Sequence, residues 1–157
     1  MQRLLHMEPG LCTGCLQCEM ACSFEHEGEF NPARSRIRVF EFEHARTSVP
    51  YTCSQCTEAW CLKACPTGAI VFDQELGAKL VRLEACVGCK ACTSACPFGT
   101  IEFNPATGKV YKCDLCGGAP QCVAACPTGA ITYLDAGATG VGRMLESAAQ
   151  TINGVAT

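Results

Sequence analysis

Cysteine recurs in this chain at intervals that leave the backbone little freedom. The central run reads Cys86-Val-Gly-Cys89-Lys-Ala-Cys92-Thr-Ser-Ala-Cys96-Pro97, a C-x2-C-x2-C-x3-C-P pattern. Two-residue gaps put three thiols on one tight loop, while the fourth, a helical turn further on, points to another site. Such a loop completes its ligand set only with a cysteine lent from elsewhere. Three further runs are available. Cys12, Cys15, Cys18 and Cys22 repeat the central spacing, with Ser23 where proline is expected. Cys53, Cys56, Cys61 and Cys65 widen the middle gap, as do Cys113, Cys116, Cys122 and Cys126, and both of these runs end in proline. All 16 cysteines of the 157 residues are used in this way.

Disulfides, zinc and iron–sulfur clusters compete for such a pattern. The opening Met1-Gln-Arg-Leu-Leu-His-Met-Glu-Pro-Gly10 has neither the apolar core of a signal peptide nor a twin arginine. No apolar run approaches the roughly eighteen residues of a membrane span. Reduced thiols in a cytoplasmic protein are the expectation. A zinc ribbon needs two C-x2-C pairs and has no use for a third cysteine two residues on, nor for proline after the fourth. The pattern therefore reads as ligands for four [4Fe-4S] clusters. The formal charge of −3 gives no electrostatic case for nucleic acid. Four oxidised clusters would carry it to about −11. Lys63, Lys90, Lys112 and Arg82 lie close in sequence to cysteines and could soften that charge, although each by itself reads more simply as ordinary solvated surface.

Between the runs the chain punctuates itself into short strands. Arg3–Met7 opens as one; Arg36–Phe42 alternates charged and apolar residues, the period of a half-buried strand, and Ser48–Tyr51 follows it. Ala69–Asp73 with Lys79–Leu83, and Thr100–Phe103 with Lys109–Tyr111, read as hairpins across turn-rich loops, and Ala130–Leu134 closes the series. Cys-Pro-Thr-Gly-Ala-Ile at 65–70 recurs at 126–131, with Cys-Pro-Phe-Gly-Thr-Ile at 96–101. Each repeat is a ligand loop, a helical turn and a strand. The fold expected is α+β: two ferredoxin-like modules of short antiparallel hairpins and short helices, built around the clusters. These occupy 1–135, an inner module at about 53–111 and an outer one from 1–52 plus 112–135. Residues 136–157 form a tail in which Val141, Met144, Leu145, Ala148 and Ile152 share a helical face, read as a frayed end or a docking helix.

The middle two runs are neighbours, so ligand exchange between them is expected. That assigns Cys53, Cys56, Cys61 and Cys96 to one cluster, and Cys86, Cys89, Cys92 and Cys65 to another. The outer runs then pair across the chain: Cys12, Cys15 and Cys18 with Cys126, and Cys113, Cys116 and Cys122 with Cys22. Pairing the first run with the second and the third with the fourth is the alternative, opposed by the roughly thirty residues between the first two.

From Leu11 to Leu134 the four runs resemble the four-cluster electron-transfer subunits of molybdenum and tungsten oxidoreductases of the dimethyl-sulfoxide reductase and formate dehydrogenase type. Similar subunits serve certain hydrogenases and carbon-monoxide dehydrogenases. The stretch Cys22-Ser-Phe-Glu-His-Glu-Gly-Glu-Phe-Asn-Pro-Ala-Arg-Ser-Arg-Ile-Arg-Val39 resembles most closely the small subunits accompanying tungsten-dependent aldehyde:ferredoxin oxidoreductases. The resemblance supports the nested pairing. It implies a hetero-oligomer with a large tungsto- or molybdopterin subunit that oxidises aldehydes, passing electrons to ferredoxin or to a flavin subunit that reduces NAD.

Nothing in the sequence supplies catalysis within this chain. An iron–sulfur cluster with four thiolates has no open coordination position. His6, His26 and His44 are scattered and read as surface residues, and Glu25, Glu27 and Glu29 as a solvated charge run. Gly137-Ala-Thr-Gly140-Val-Gly142 lacks the βαβ context of a dinucleotide loop. Trp60, Phe98, Tyr111 and Tyr133 lie near cysteines and read as packing around the clusters, with an interface anchor as the alternative. The functional expectation is a non-catalytic electron-transfer subunit, or else a free soluble polyferredoxin.

Overall fold

The computed structural model describes residues 3–135. Eight short strands pair into four two-stranded antiparallel ribbons, linked by the cysteine loops. Strand β1 (Arg3–Met7) and strand β8 (Ile131–Asp135) pair with each other, Leu5 opposite Tyr133. The two ends of the described chain are thereby joined. Strands β2 (Ile37–Phe42) and β3 (Thr47–Thr52), β4 (Ile70–Asp73) and β5 (Ala78–Val81), and β6 (Glu102–Asn104) and β7 (Lys109–Tyr111) are local hairpins. Sequence placed all of them to within a residue or two. The proposed docking helix lies outside the described residues.

The helices differ in length for a local reason. Helix α1 (Gln17–Glu27) runs three turns, whereas α2 (Trp60–Lys63), α3 (Ala91–Ala95) and α4 (Gln121–Ala124) stop after about one. In the last three a proline follows the fourth cysteine, and it disfavours helical geometry in the residue before it while offering no N–H of its own. At the equivalent place in α1 stands Ser23. Its hydroxyl donates to the Met20 carbonyl at 3.0 Å and accepts from the Asn31 amide at 3.1 Å, so the side chain is satisfied inside the structure. The helix continues to Gly28, whose φ of 72° ends it.

Apolar burial is divided into two clusters. One gathers Leu5, Ile37, Ala78, Leu115 and Ile131 around Cys18, Cys22, Cys53, Cys113 and Cys122. The other gathers Ala69, Ile70, Ile101 and Val110 around Cys86 and Cys92, with Cys61, Cys65 and Cys96 at its edge. Cysteine is a structural constituent of both. The β2–β3 hairpin departs from the expected half-buried pattern: Ile37 is buried, but Phe40 and Phe42 are about half exposed. Two strands have no further sheet to lie on, so only the base of the ribbon reaches the core.

Two side chains tie the hairpin down. Glu19 of α1 is buried and accepts from the Val39 amide at 2.6 Å. Arg38 donates to both Glu102 carboxylate oxygens at 3.1 and 3.0 Å, and to the carbonyls of Pro32 and Ala33.

Candidate metal centres

In each run the residue before the second cysteine adopts left-handed backbone: Gly14 at φ 69°, Gln55 at 49°, Gly88 at 69° and Leu115 at 60°. Leu16, Lys90 and Cys116 add further positive φ values just beyond. A non-glycine residue held this way costs of order 1 kcal/mol or more, and such strain clusters at functional sites. Alternating the sign of φ turns successive amides to one side, forming the concave nest that receives anions and iron–sulfur sites. The glycines were visible in the sequence. Gln55 and Leu115, which adopt the same turn without glycine, were not.

Three cavities are lined by cysteine quartets. One has Cys12, Cys15, Cys18 and Cys126, walled by Val39, Pro50 and Ile131. A second has Cys65, Cys86, Cys89 and Cys92, beside Ile70 and Val110. Both are small. A third, larger and more open, has Cys53, Cys56, Cys61 and Cys96, with Gln55, Trp60, Lys79, Phe98 and Lys112 around it. The remaining four, Cys22, Cys113, Cys116 and Cys122, lie near the meeting of α1 and α4, where burial raises Cys122 and Cys113, Cys22, Cys116 and also Cys18 add to it. Each of the three cavities takes three cysteines from one run and one from another.

Burial pushes the thiols of Cys18 and Cys113 up to about 12 and that of Cys122 higher still; it also raises Cys61, Cys92 and Cys116. Buried thiolates need a compensating cation, which a metal cluster supplies. The cysteines before the prolines move the other way. Burial opposes ionisation of Cys65, Cys96 and Cys126, but hydrogen bonds to sulfur outweigh it and lower all three. The Thr67 and Thr128 hydroxyls lie 3.7 and 3.8 Å from the Cys65 and Cys126 sulfurs. In the third repeat Phe98 replaces that threonine, and Thr100 takes its place at 3.6 Å from Cys96. The Ala69 amide donates to Cys65 Sγ at 3.2 Å and the Arg36 amide to Cys22 Sγ at 3.3 Å. Amides and hydroxyls turned toward sulfur, in apolar cavities, fit a thiolate-ligated cluster.

Several expectations need correction. His26 is not a surface residue: its Nε2 lies 3.5 Å from Asp114 Oδ1 and 3.6 Å from Cys116 Sγ, and its side chain is 11 % exposed. Burial and the nearby Arg36 lower its pKa. Asp114 completes this cluster of side chains: burial raises its pKa, but Arg36 at 2.6 Å, His26 and the Cys116 amide together hold it below its usual range. Lys112 is not solvated but 3 % exposed, and Lys79, equally buried, carried no signal in the sequence. Trp60 and Phe98, expected to pack, are 64 % and 46 % exposed at the mouth of the third cavity.

The pattern described as "4Fe-4S dicluster domain" matches residues 45–136, and that described as "4Fe-4S binding domain" matches residues 9–25. The chain belongs to the 4Fe-4S dicluster family. Among similar proteins, the polyferredoxin-like subunit of the aliphatic sulfonate oxidoreductase of Pyrococcus furiosus is 48 % identical over 106 residues, 68 % of this chain and 61 % of the relative. A tetrathionate reductase subunit of Archaeoglobus fulgidus is 35 % identical, over 65 % of this chain and 49 % of the relative. The chain thus spans about half to three-fifths of the length of these curated relatives of the dicluster family. Among solved structures, the active site complex BamBC of benzoyl coenzyme A reductase, as isolated, matches with a TM-score of 0.50 and 25 % identity, covering 99 % of this chain and 97 % of that one. Among the described residues, no helix is long and apolar enough to cross a membrane.

Proposed function

We infer that this chain is the electron-transfer subunit of an oxidoreductase complex, holding four [4Fe-4S] clusters in two modules with nested ligand exchange. The supporting observation is that three cavities are each lined by three cysteines of one run and one of another. Cys12, Cys15, Cys18 and Cys126 hold one cluster, and Cys113, Cys116, Cys122 and Cys22 a second. Cys53, Cys56, Cys61 and Cys96 hold a third, and Cys86, Cys89, Cys92 and Cys65 the fourth. Each cluster, when bound, takes up and releases one electron without opening a site for substrate. The chain's own part is to neutralise, hydrogen-bond and shield. The amides and threonine hydroxyls stabilise sulfur charge, and the apolar walls keep water from it.

The partner in this reading is a large subunit with pterin-bound tungsten or molybdenum that oxidises an aldehyde, and the acceptor is ferredoxin or a flavin subunit. The Cys22–Val39 stretch favours that partner. The names of the relatives, from aliphatic sulfonate oxidoreductase to tetrathionate reductase, support a common carrier joined to catalytic chains of differing substrate. A free polyferredoxin, serving several enzymes without a fixed partner, is the second reading.

Anaerobic purification decides between them. Copurification with a large tungsten- or molybdenum-containing, aldehyde-oxidising chain is expected; a monomer that exchanges electrons with many donors refutes a fixed partner. Iron and labile sulfide should reach four of each per cysteine quartet. For the pairing, Cys22→Ser should alter the same paramagnetic resonance signal as Cys122→Ser. If it alters the signal touched by Cys12→Ser instead, the ligand exchange is wrong.

A further inference from the structure

The quartet of Cys53, Cys56, Cys61 and Cys96 is set apart by its charged surroundings. Lys79 and Lys112 line the same cavity, 5 % and 3 % exposed. Their bonded partners are neutral oxygens. Lys112 Nζ donates to the Cys113 carbonyl at 2.9 Å, to Gln55 Oε1 at 3.4 Å and to the Lys79 carbonyl. Lys79 Nζ donates to the Gln55 carbonyl at 3.2 Å and lies 4.8 Å from the centre of the Phe72 ring. Glu58 also borders the cavity, but at its exposed rim, bonded to Lys63. A buried ammonium requires nearby negative charge, which neutral oxygens meet only in part. Cysteine sulfur is the anionic chemistry that lines the cavity with them. Burial and the neighbouring Lys112 lower the pKa of Lys79, while Cys56, Cys53 and Cys61 oppose that, and Lys112 favours the thiolate of Cys61.

The other three groups have less of this. Lys112 also reaches the fourth run at the Cys113 carbonyl, and the half-buried Lys109 donates to the Cys86 carbonyl, but neither site has two buried ammoniums. No charged side chain lines the cavity of Cys12, Cys15, Cys18 and Cys126. The cavity of Cys65, Cys86, Cys89 and Cys92 has Lys90, which is exposed and stacks on Phe103. Beside Cys22 and Cys116, Arg36 is neutralised by Asp114 at 2.6 Å.

We propose that Lys79 and Lys112 raise the reduction potential of the cluster held by Cys53, Cys56, Cys61 and Cys96 above those of the other three, making it the place where the first electron to enter the chain rests. The proposal builds on the ligand assignment above. Reduction adds one electron and no proton, so it adds one negative charge, and two fixed cations in a poorly screened site favour the state carrying that charge. The electron comes from a low-potential one-electron donor; dithionite serves in the test. The position suits a relay. Gln55 Nε2 donates to the Cys113 carbonyl at 2.8 Å, so this site and the loop of the fourth run share one buried hydrogen-bond network.

The test is a dithionite titration of the anaerobically purified full-length protein followed by paramagnetic resonance. The first component to reduce should be the one whose spectrum Cys61→Ser changes. Lys79→Met and Lys112→Met should each lower its equilibrium constant for reduction at least tenfold, about 59 mV for one electron, with the iron content unchanged. Lys79→Met should leave the other components unmoved, and Lys112→Met should move the Cys113 component less than this one. Unmoved potentials at full iron content overturn the proposal, as does an equal shift of all four. Should Lys112→Met lose its iron, Lys79→Met decides, because it leaves Gln55 bonded to Cys113. Loss of this one cluster in both variants assigns the lysines a structural role and also overturns it. An iron content below four per quartet in the unmodified protein refutes the cluster reading instead.

Discussion

Substituting alanine for Gly88 offers the sharpest test of how the cysteine loops are held. Gly88 sits between Cys86 and Cys89 at φ +69°. A Cβ built there would lie 2.2 Å from the Gly108 carbonyl oxygen, and 3.3 Å from both the Gly108 carbonyl carbon and Phe103 Cε2. That is over 1 Å inside an ordinary contact of about 3.5 Å. The obstacle is backbone, in the turn between β6 and β7, where the Gly108 amide is bonded to the Asn104 carbonyl at 2.9 Å. It cannot swing aside as a side chain would. The left-handed conformation costs about 1–2 kcal/mol and displacing packed backbone about 1–3 kcal/mol more, giving about 2–5 kcal/mol in all. Gly99 is the internal control: its φ is +63°, but nothing lies within 4 Å of its would-be Cβ, so Gly99→Ala incurs only the first cost. Anaerobic thermal unfolding at one fixed scan rate, necessary because cluster loss makes unfolding irreversible, should show Gly88→Ala falling further than Gly99→Ala by the second cost, about 1–3 kcal/mol. For a chain of this size each kcal/mol is about 2–4 °C. Equal shifts would refute the claim that the loop of the third run is wedged against the β6–β7 turn.

Two other contacts are open to the same measurement. Glu19→Ala strands the Val39 amide and should cost about 1–3 kcal/mol, with faster hydrogen exchange at Val39, whereas Glu19→Gln keeps an acceptor and most of the stability. Arg38→Ala should cost about 1 kcal/mol, because its pair with Glu102 is a third exposed and screened. Glu102→Gln should cost less, since Arg38 keeps the Pro32 and Ala33 carbonyls. Equal costs for those two changes would mean that the carbonyl contacts contribute nothing.

The limits of inference from sequence are clearest residue by residue. The cysteine intervals, the proline after three of the runs and the turn residues between strands are local signals. They fixed the hairpins, the short helices and the choice of cluster chemistry before any coordinates. Ser23 in place of proline was equally visible, and its consequence, a three-turn α1, follows from backbone stereochemistry. Burial of charge is different. Lys79 and Lys112 lie 24 and 57 residues from Gln55, and only the packing of β5 and the fourth run against the second turns two ordinary lysines into buried cations around one amide. His26 and Cys116, 90 residues apart, meet for the same reason.

The sequence alone marked the sixteen cysteines, in four runs, as the candidate ligands, because ligand spacing is a property of one short loop. The tertiary structure decided what surrounds each quartet: threonine hydroxyls here, a neutralised arginine there, two buried ammoniums in the cavity of Cys53, Cys56, Cys61 and Cys96. Those surroundings come from chain segments far apart in sequence, brought together by pairing β1 with β8 and by folding around sulfur-lined cores. Charge and hydrogen bonding act through space, so no reading along the chain could have assigned them.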